Sequence, residues 1–102
     1  MPRPKKLRYI EFPPGVRYFK PRGIPLSELE EVVLTAEELE ALKLKELEGL
    51  SQKECAKRMG ISRTTFRRDL ESAHFKITEA LLKNKAIRIE GGTFKIKGRT
   101  NN

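Results

Sequence analysis

Residues 50–70 read LSQKECAKRMGISRTTFRRDL, and this stretch decides the fold. A serine hydroxyl accepts a hydrogen bond from one of the unpaired amides that open a helix, and glycine takes the left-handed backbone that ends one. Ser51 therefore starts a short helix with Cys55, Ala56 and Met59 on its inward face, and Gly60 stops it. Ile61 plugs the turn and Ser62 caps a second helix, leaving only a tight connection between the two. Ala56 is small enough to let the helices cross closely, with Phe66 and Leu70 filling the space between them. The pattern is a helix-turn-helix over 51–70. Its second helix turns Arg63, Thr64, Thr65, Arg67 and Arg68 outward. These side chains are the kind that read base edges and grip phosphates in a major groove. The expected function is sequence-specific binding of double-stranded DNA by a transcriptional regulator that inserts the helix starting at Arg63.

The flanks extend this unit. Upstream, Thr35-Ala36-Glu37-Glu38 matches the capping box, in which the cap hydroxyl and the carboxylate three residues on satisfy each other's backbone amides. Leu39, Leu42, Leu44 and Leu47 follow as an apolar stripe, and Gly49 ends the helix. Downstream, Phe66, Leu70, Ala73, Ile77 and Leu81 recur on one face of a helix predicted over 63–84. A second stripe, Phe75, Thr78 and Leu82, points either to a homodimer or to packing against residues 9–26.

Two hairpins are expected around the helices. Tyr9–Phe12 and Val16–Phe19 would pair about Pro13-Pro14-Gly15, and Pro25 would open a helical turn before Val32-Val33-Leu34. At the other end, Gly91-Gly92 suits a two-residue turn pairing Ile89 with Phe94 and Ile87 with Ile96. That register sets Arg88 opposite Lys95, a like-charge pair that suggests either a wing on backbone phosphates or a solvated edge. Aromatics in 9–26 are read as packing a loop on the helices, with Lys20 and Arg22 reaching outward to the DNA backbone. Residues 1–8 read as a basic flexible arm, 9–97 as a single domain and 98–102 as a disordered tail.

Composition sets the bounds. The chain has 102 residues, 37% hydrophobic, with a net charge of +8 that suits a polyanionic partner. Between Glu28 and Glu48 eight carboxylates face only Lys43 and Lys45, so an acidic, solvated back is expected opposite a basic face. One cysteine forms no internal disulfide, no apolar run approaches a membrane span, and no secretory signal is evident, so a cytoplasmic protein without membrane contact is expected.

The run LTAEELEALKLKELEGLSQKECAKRMGISRTTFRRDLESA resembles region four of bacterial sigma factors, the helix-turn-helix that reads the promoter −35 element. The whole chain resembles more closely a family of small, uncharacterised prokaryotic proteins assigned to DNA binding by that motif. They share the basic PRP start, YFKPRGIPLSELEEVVLT, the helix-turn-helix and a KA-x-RIEGG ending. The resemblance implies a mainly α fold: a three-helix, sigma-region-four-like core with short N-terminal and C-terminal β-hairpins. It implies that Ser62 caps the reading helix beside the backbone and that Arg63, Thr64, Thr65, Arg67 and Arg68 face the groove. Lys53, Lys57 and Arg58 would flank the phosphates. Arg67 stands where relatives often carry glycine, His74 where they carry a basic residue and Leu7 where some carry cysteine, so base preference and a metal site do not transfer.

The rival functions are weaker. Catalysis by Cys55 or a serine needs an adjacent base, and His74 is the only histidine. One cysteine and one histidine fall short of a zinc site, and no phosphate-cradling glycine loop is present, so neither an enzyme nor a cofactor is expected. The alternative to DNA binding is a protein-interaction module docking on the transcription machinery through the acidic 28–48 surface.

Overall fold

The computed structural model describes residues 7–11, 15–92 and 94–96. The arm over 1–6, the Pro13-Pro14 turn and the 98–102 tail lie outside the described residues. Three helices form as the caps require. α1 spans Ala36–Leu42, α2 Gln52–Met59 and α3 Arg63–Lys83. Each start is capped: Thr35 closes the full capping box with Glu38, Ser51 accepts the Glu54 amide, and Ser62 accepts the Thr65 amide. Gly60 ends α2 at φ 70° and Asn84 ends α3 at φ 54°, both in the left-handed region. Beyond α1 the coil widens over Lys43–Leu47, where the Glu48 amide reaches back five residues to the Lys43 carbonyl. That widening disturbs the expected leucine stripe. Leu44 is buried, but Leu47 is 83% exposed.

The strands pair differently from expectation, and neither hairpin forms among the described residues. β1 (Arg8–Ile10) pairs in parallel with β5 (Phe94–Ile96), in the register Arg8–Phe94, Tyr9–Lys95. β2 (Arg17–Phe19) pairs antiparallel with β4 (Ala86–Ile89), and β4 pairs in parallel with β3 (Glu31–Leu34). The sheet order β2-β4-β3 occupies both edges of β4, which leaves none for β5. A central position satisfies the ladder groups of β4 on both sides, whereas a hairpin satisfies one side alone. Gly91-Gly92 is thus a crossing rather than a turn. The Gly91 carbonyl accepts the Ala36 amide at the open end of α1 (3.0 Å), and a β-carbon on Gly92 would run into the Glu37 carboxylate. Arg88 accordingly lies between Tyr18 and Val33, near Glu31 (3.2 Å) and against Glu90, not opposite Lys95.

β3 enters α1 and β4 leaves α3, so their parallel pairing ties the two ends of the helical unit together. Two apolar cores result. Ala41, Leu44, Cys55, Ala56, Met59, Ile61, Phe66 and Leu70 fill the space among the helices. Leu34, Ala73 and Ile89 join α3 to the sheet, and Leu42 packs against both. Along α3 the buried position after Ile77 is Ala80; Leu81 is 71% exposed, beside a groove shared with Phe19 and Ile87. A spacing of three rather than four keeps the stripe facing the sheet. The second stripe is outside the core altogether, with Phe75 and Leu82 exposed. Aromatic packing from 9–26 is partial: Ile10 is buried, but Tyr9, Tyr18 and Phe19 are each more than 40% exposed. Leu26–Glu28 form the predicted turn after Pro25, a single 3-10 turn. Among the described residues no helix is long and apolar enough to cross a membrane.

Candidate functional site

α2, the turn and the first half of α3 carry a dense group of cations. Arg63, Thr64, Arg67 and Arg68 are exposed on α3, as are Lys53 and Lys57 on α2. Phe66, at 0% exposure, and Leu70 hold the opposite face of α3 against Ala56 and Met59, which fixes the outward direction of these arginines. Thr65 departs from the expected set. It is half-buried, its hydroxyl accepts from Ser62 (3.0 Å), and it lines a cleft on the flank of α3.

Charge pairing separates this face from the remainder. Lys43, Lys76, Lys83, Lys85 and Arg88 each have a carboxylate within 4 Å. Arg58 belongs with them, lying 3.4 Å from Glu48 and 3.6 Å from Glu54, so its expected phosphate contact is compromised. Lys53, Lys57, Arg63, Arg67 and Arg68 have no ion pair among the described residues. Arg17, Arg22, Lys45 and Lys95 are likewise unpaired but scattered over other elements. Lys20 is caught in its own loop, its ammonium donating to the carbonyls of Ile24 (2.7 Å) and Pro21 (3.4 Å).

The acidic back is only half the expected one. Glu37, Glu38 and Glu40 are buried at 4%, 6% and 7% exposure, and serve the fold. Burial pushes the Glu38 carboxyl up, but hydrogen bonds from Lys76 (2.8 Å), Ser72 and the Thr35 amide outweigh it and hold the group below the ordinary carboxylate value. At Glu40 burial prevails over the Lys43 ammonium 3.3 Å away, and the carboxyl is raised.

The cleft beside α3 went unnoticed in the sequence. It has a volume of about 380 Å³, between the start of α1, β1 and α3, with Thr65 and Arg68 on one side and Ser72, Lys76 and Glu38 on another. Arg8 enters it from β1 and forks onto Asp69, donating through Nε (3.0 Å) and Nη2 (3.1 Å). Arg8 is therefore a buried structural residue at 8% exposure, not the end of a free arm. A partner sixty-one residues away has no local sequence signal; only the isolated Asp69 among the arginines of α3 hinted at one.

The other titratable candidates sit apart from this face. Cys55 is fully buried, and burial pushes its thiol up, away from the nucleophilic thiolate. His74 is a surface residue, with Nε2 3.0 Å from Glu46.

Residues 1–97 match the family model described as "Protein of unknown function DUF134". A UPF0251 protein of Caldanaerobacter subterraneus subsp. tengcongensis is 60% identical over 98 residues, covering 96% of this chain and 83% of the relative. Another from Dehalococcoides mccartyi is 59% identical over 99 residues, covering 97% and 85%. A third, from Moorella thermoacetica, is 59% identical over 98 residues, covering 96% of this chain but 66% of the relative. No solved structure matches the chain.

Proposed function

The chain belongs to the DUF134 family, and from that premise we propose that it binds double-stranded DNA sequence-specifically and regulates transcription. In this reading α2, the turn and α3 are a helix-turn-helix like that of sigma region four, with α3 in the major groove. The observation that carries it is the set of five cations on α2 and the start of α3 that have no ion pair among the described residues, in a protein whose other helical cations are mostly neutralised. Unpaired guanidinium and ammonium groups meet a duplex without first breaking an internal ion pair, and each phosphate they neutralise releases counterions. Arg63, Thr64, Arg67 and Arg68 are the base-reading candidates, while Thr65 is turned toward the cleft. Lys53 and Lys57 lie along the phosphates, with Ser62 holding the helix start.

The alternative, docking on transcription machinery through residues 28–48, has less to rest on. Three of its eight carboxylates are buried, and of the remaining five, Glu30, Glu31 and Glu48 each have a lysine or arginine within 4 Å among the described residues.

Selection of bound sequences from a random duplex pool tests the proposal. A motif should emerge, and Arg63→Ala or Arg67→Ala should weaken binding to it by about 1–3 kcal/mol and relax one position. Lys53→Gln should weaken all duplexes alike and lower the salt slope by about 1. Unchanged affinity in both arginine variants refutes the reading helix, and a pool that yields no motif shifts the case to the docking surface.

A further inference from the structure

Resting on the duplex-binding reading, we infer that Tyr9 and Lys95, side by side on the two-stranded β1–β5 sheet, form a further contact to the phosphate backbone, next to the start of α3. Two observations fix where this sheet sits. The Arg8 guanidinium forks onto Asp69 at 3.0 and 3.1 Å, on the second turn of α3, so β1 lies along the flank of that helix. One residue on, the Tyr9 ring covers the turn between α2 and α3: a β-carbon on Gly60 would stand 2.8 Å from its Cδ2. Gly60 comes two residues before the Ser62 cap, and a helix lying in a major groove meets base edges through its N-terminal residues. Tyr9 therefore stands beside the end of α3 that the groove receives.

Strand alternation decides what the sheet offers there. Successive side chains point to opposite faces, so residues paired across a ladder share a face. Arg8 and Ile10 are buried, and Phe94, the partner of Arg8, is half-buried. Tyr9, 41% exposed, and its partner Lys95 accordingly share the outward face. Lys95 is exposed and has no ion pair among the described residues, and the Tyr9 hydroxyl has no hydrogen bond among them. The carboxylates at hand are already engaged, Asp69 by Arg8 and Glu11 by Lys43. Arg68 lines the same cleft as Arg8, so the cationic side of α3 borders this sheet. A phosphate strand edging the groove supplies an acceptor for the phenol and an anion for the ammonium. Contacts of this kind set register and add affinity without reading sequence.

The test uses the full chain and its selected duplex, with Lys95→Gln and Tyr9→Phe as variants and Arg63→Ala as reference. Lys95→Gln should lower the salt slope by about 1. Tyr9→Phe keeps the ring over Gly60 and removes only the hydroxyl. It should weaken binding about tenfold, with the melting temperature and the selected motif unchanged. A wild-type salt slope in Lys95→Gln, or wild-type affinity in Tyr9→Phe, overturns this inference, while an Arg63-dependent motif leaves the function standing. Absence of any duplex binding by the wild-type chain overturns both.

Discussion

The helical half and the stranded half of this molecule obey different rules. In α1, α2 and α3 each start has a side-chain cap, and each buried face recurs at helical spacing, so what specifies each helix lies within a few residues of it. In the strands, partners come from opposite ends of the chain: β1 finds β5, and β2 finds β4. Local chemistry specifies the first half, and global closure selects the second. The proposed function follows the division, because the residues proposed to read bases stand on α3, which belongs to the locally specified half.

The sharpest way to break this comparison is at Phe66, which is fully buried among the three helices. Phe66→Ala should cost about 3–5 kcal/mol, measured by denaturant unfolding, because it leaves a cavity that rigid helices cannot close. A loss near 1 kcal/mol would mean that the helical core relaxes freely and is not the stronger half.

The crossing between the sheets gives a smaller effect with an internal control. Gly91 and Gly92 both have positive φ, 74° and 116°. A β-carbon meets nothing within 4 Å at Gly91, whereas at Gly92 it meets the Glu37 side chain and the Ala36 amide. Gly91→Ala should cost about 1 kcal/mol from backbone strain alone, and Gly92→Ala about 2–3 kcal/mol. Equal costs would show that the chain does not cross tightly over α1.

The smallest effect is one of sign. The Glu38 carboxyl is held below its ordinary value of 4.5, so its contribution to stability is present above that pH and is lost as pH falls through the lower folded value. Glu40, raised by burial, behaves oppositely: its contribution is complete below 4.5 and fades as pH rises through the folded value. The drop in melting temperature of Glu38→Gln relative to the parent should therefore shrink between about pH 7 and pH 3. For Glu40→Gln the same difference should grow over that interval. Parallel curves for the two variants would contradict the Lys76–Glu38–Ser72 arrangement.

What could be read in advance followed the same boundary. The extents of α2 and α3, all three N-caps and the buried thiol of Cys55 were legible, because each depends on residues within one or two helical turns. The exposed direction of Arg63, Arg67 and Arg68 followed from the burial of Phe66 and Leu70 on the same helix. The misjudged places were those where a distant group intervened. Gly91-Gly92 has the composition of a hairpin turn, yet α1 offers the Gly91 carbonyl an amide that no hairpin supplies. Glu38 of α1 looked like part of a solvated face until Lys76 and Ser72 arrived from α3 to engage it.

By itself, the sequence determined three capped helices, the tight turn at Gly60 and an exposed face of α3 rich in arginine, since these rest on short-range hydrogen bonding and on 3.6-residue periodicity. Only the tertiary structure decided which strands pair and which cations remain without an ion pair among the described residues. Those depend on groups such as Arg8 and Asp69, sixty-one positions apart. Their attraction acts only once the helices and the central strand have already brought them within hydrogen-bonding distance.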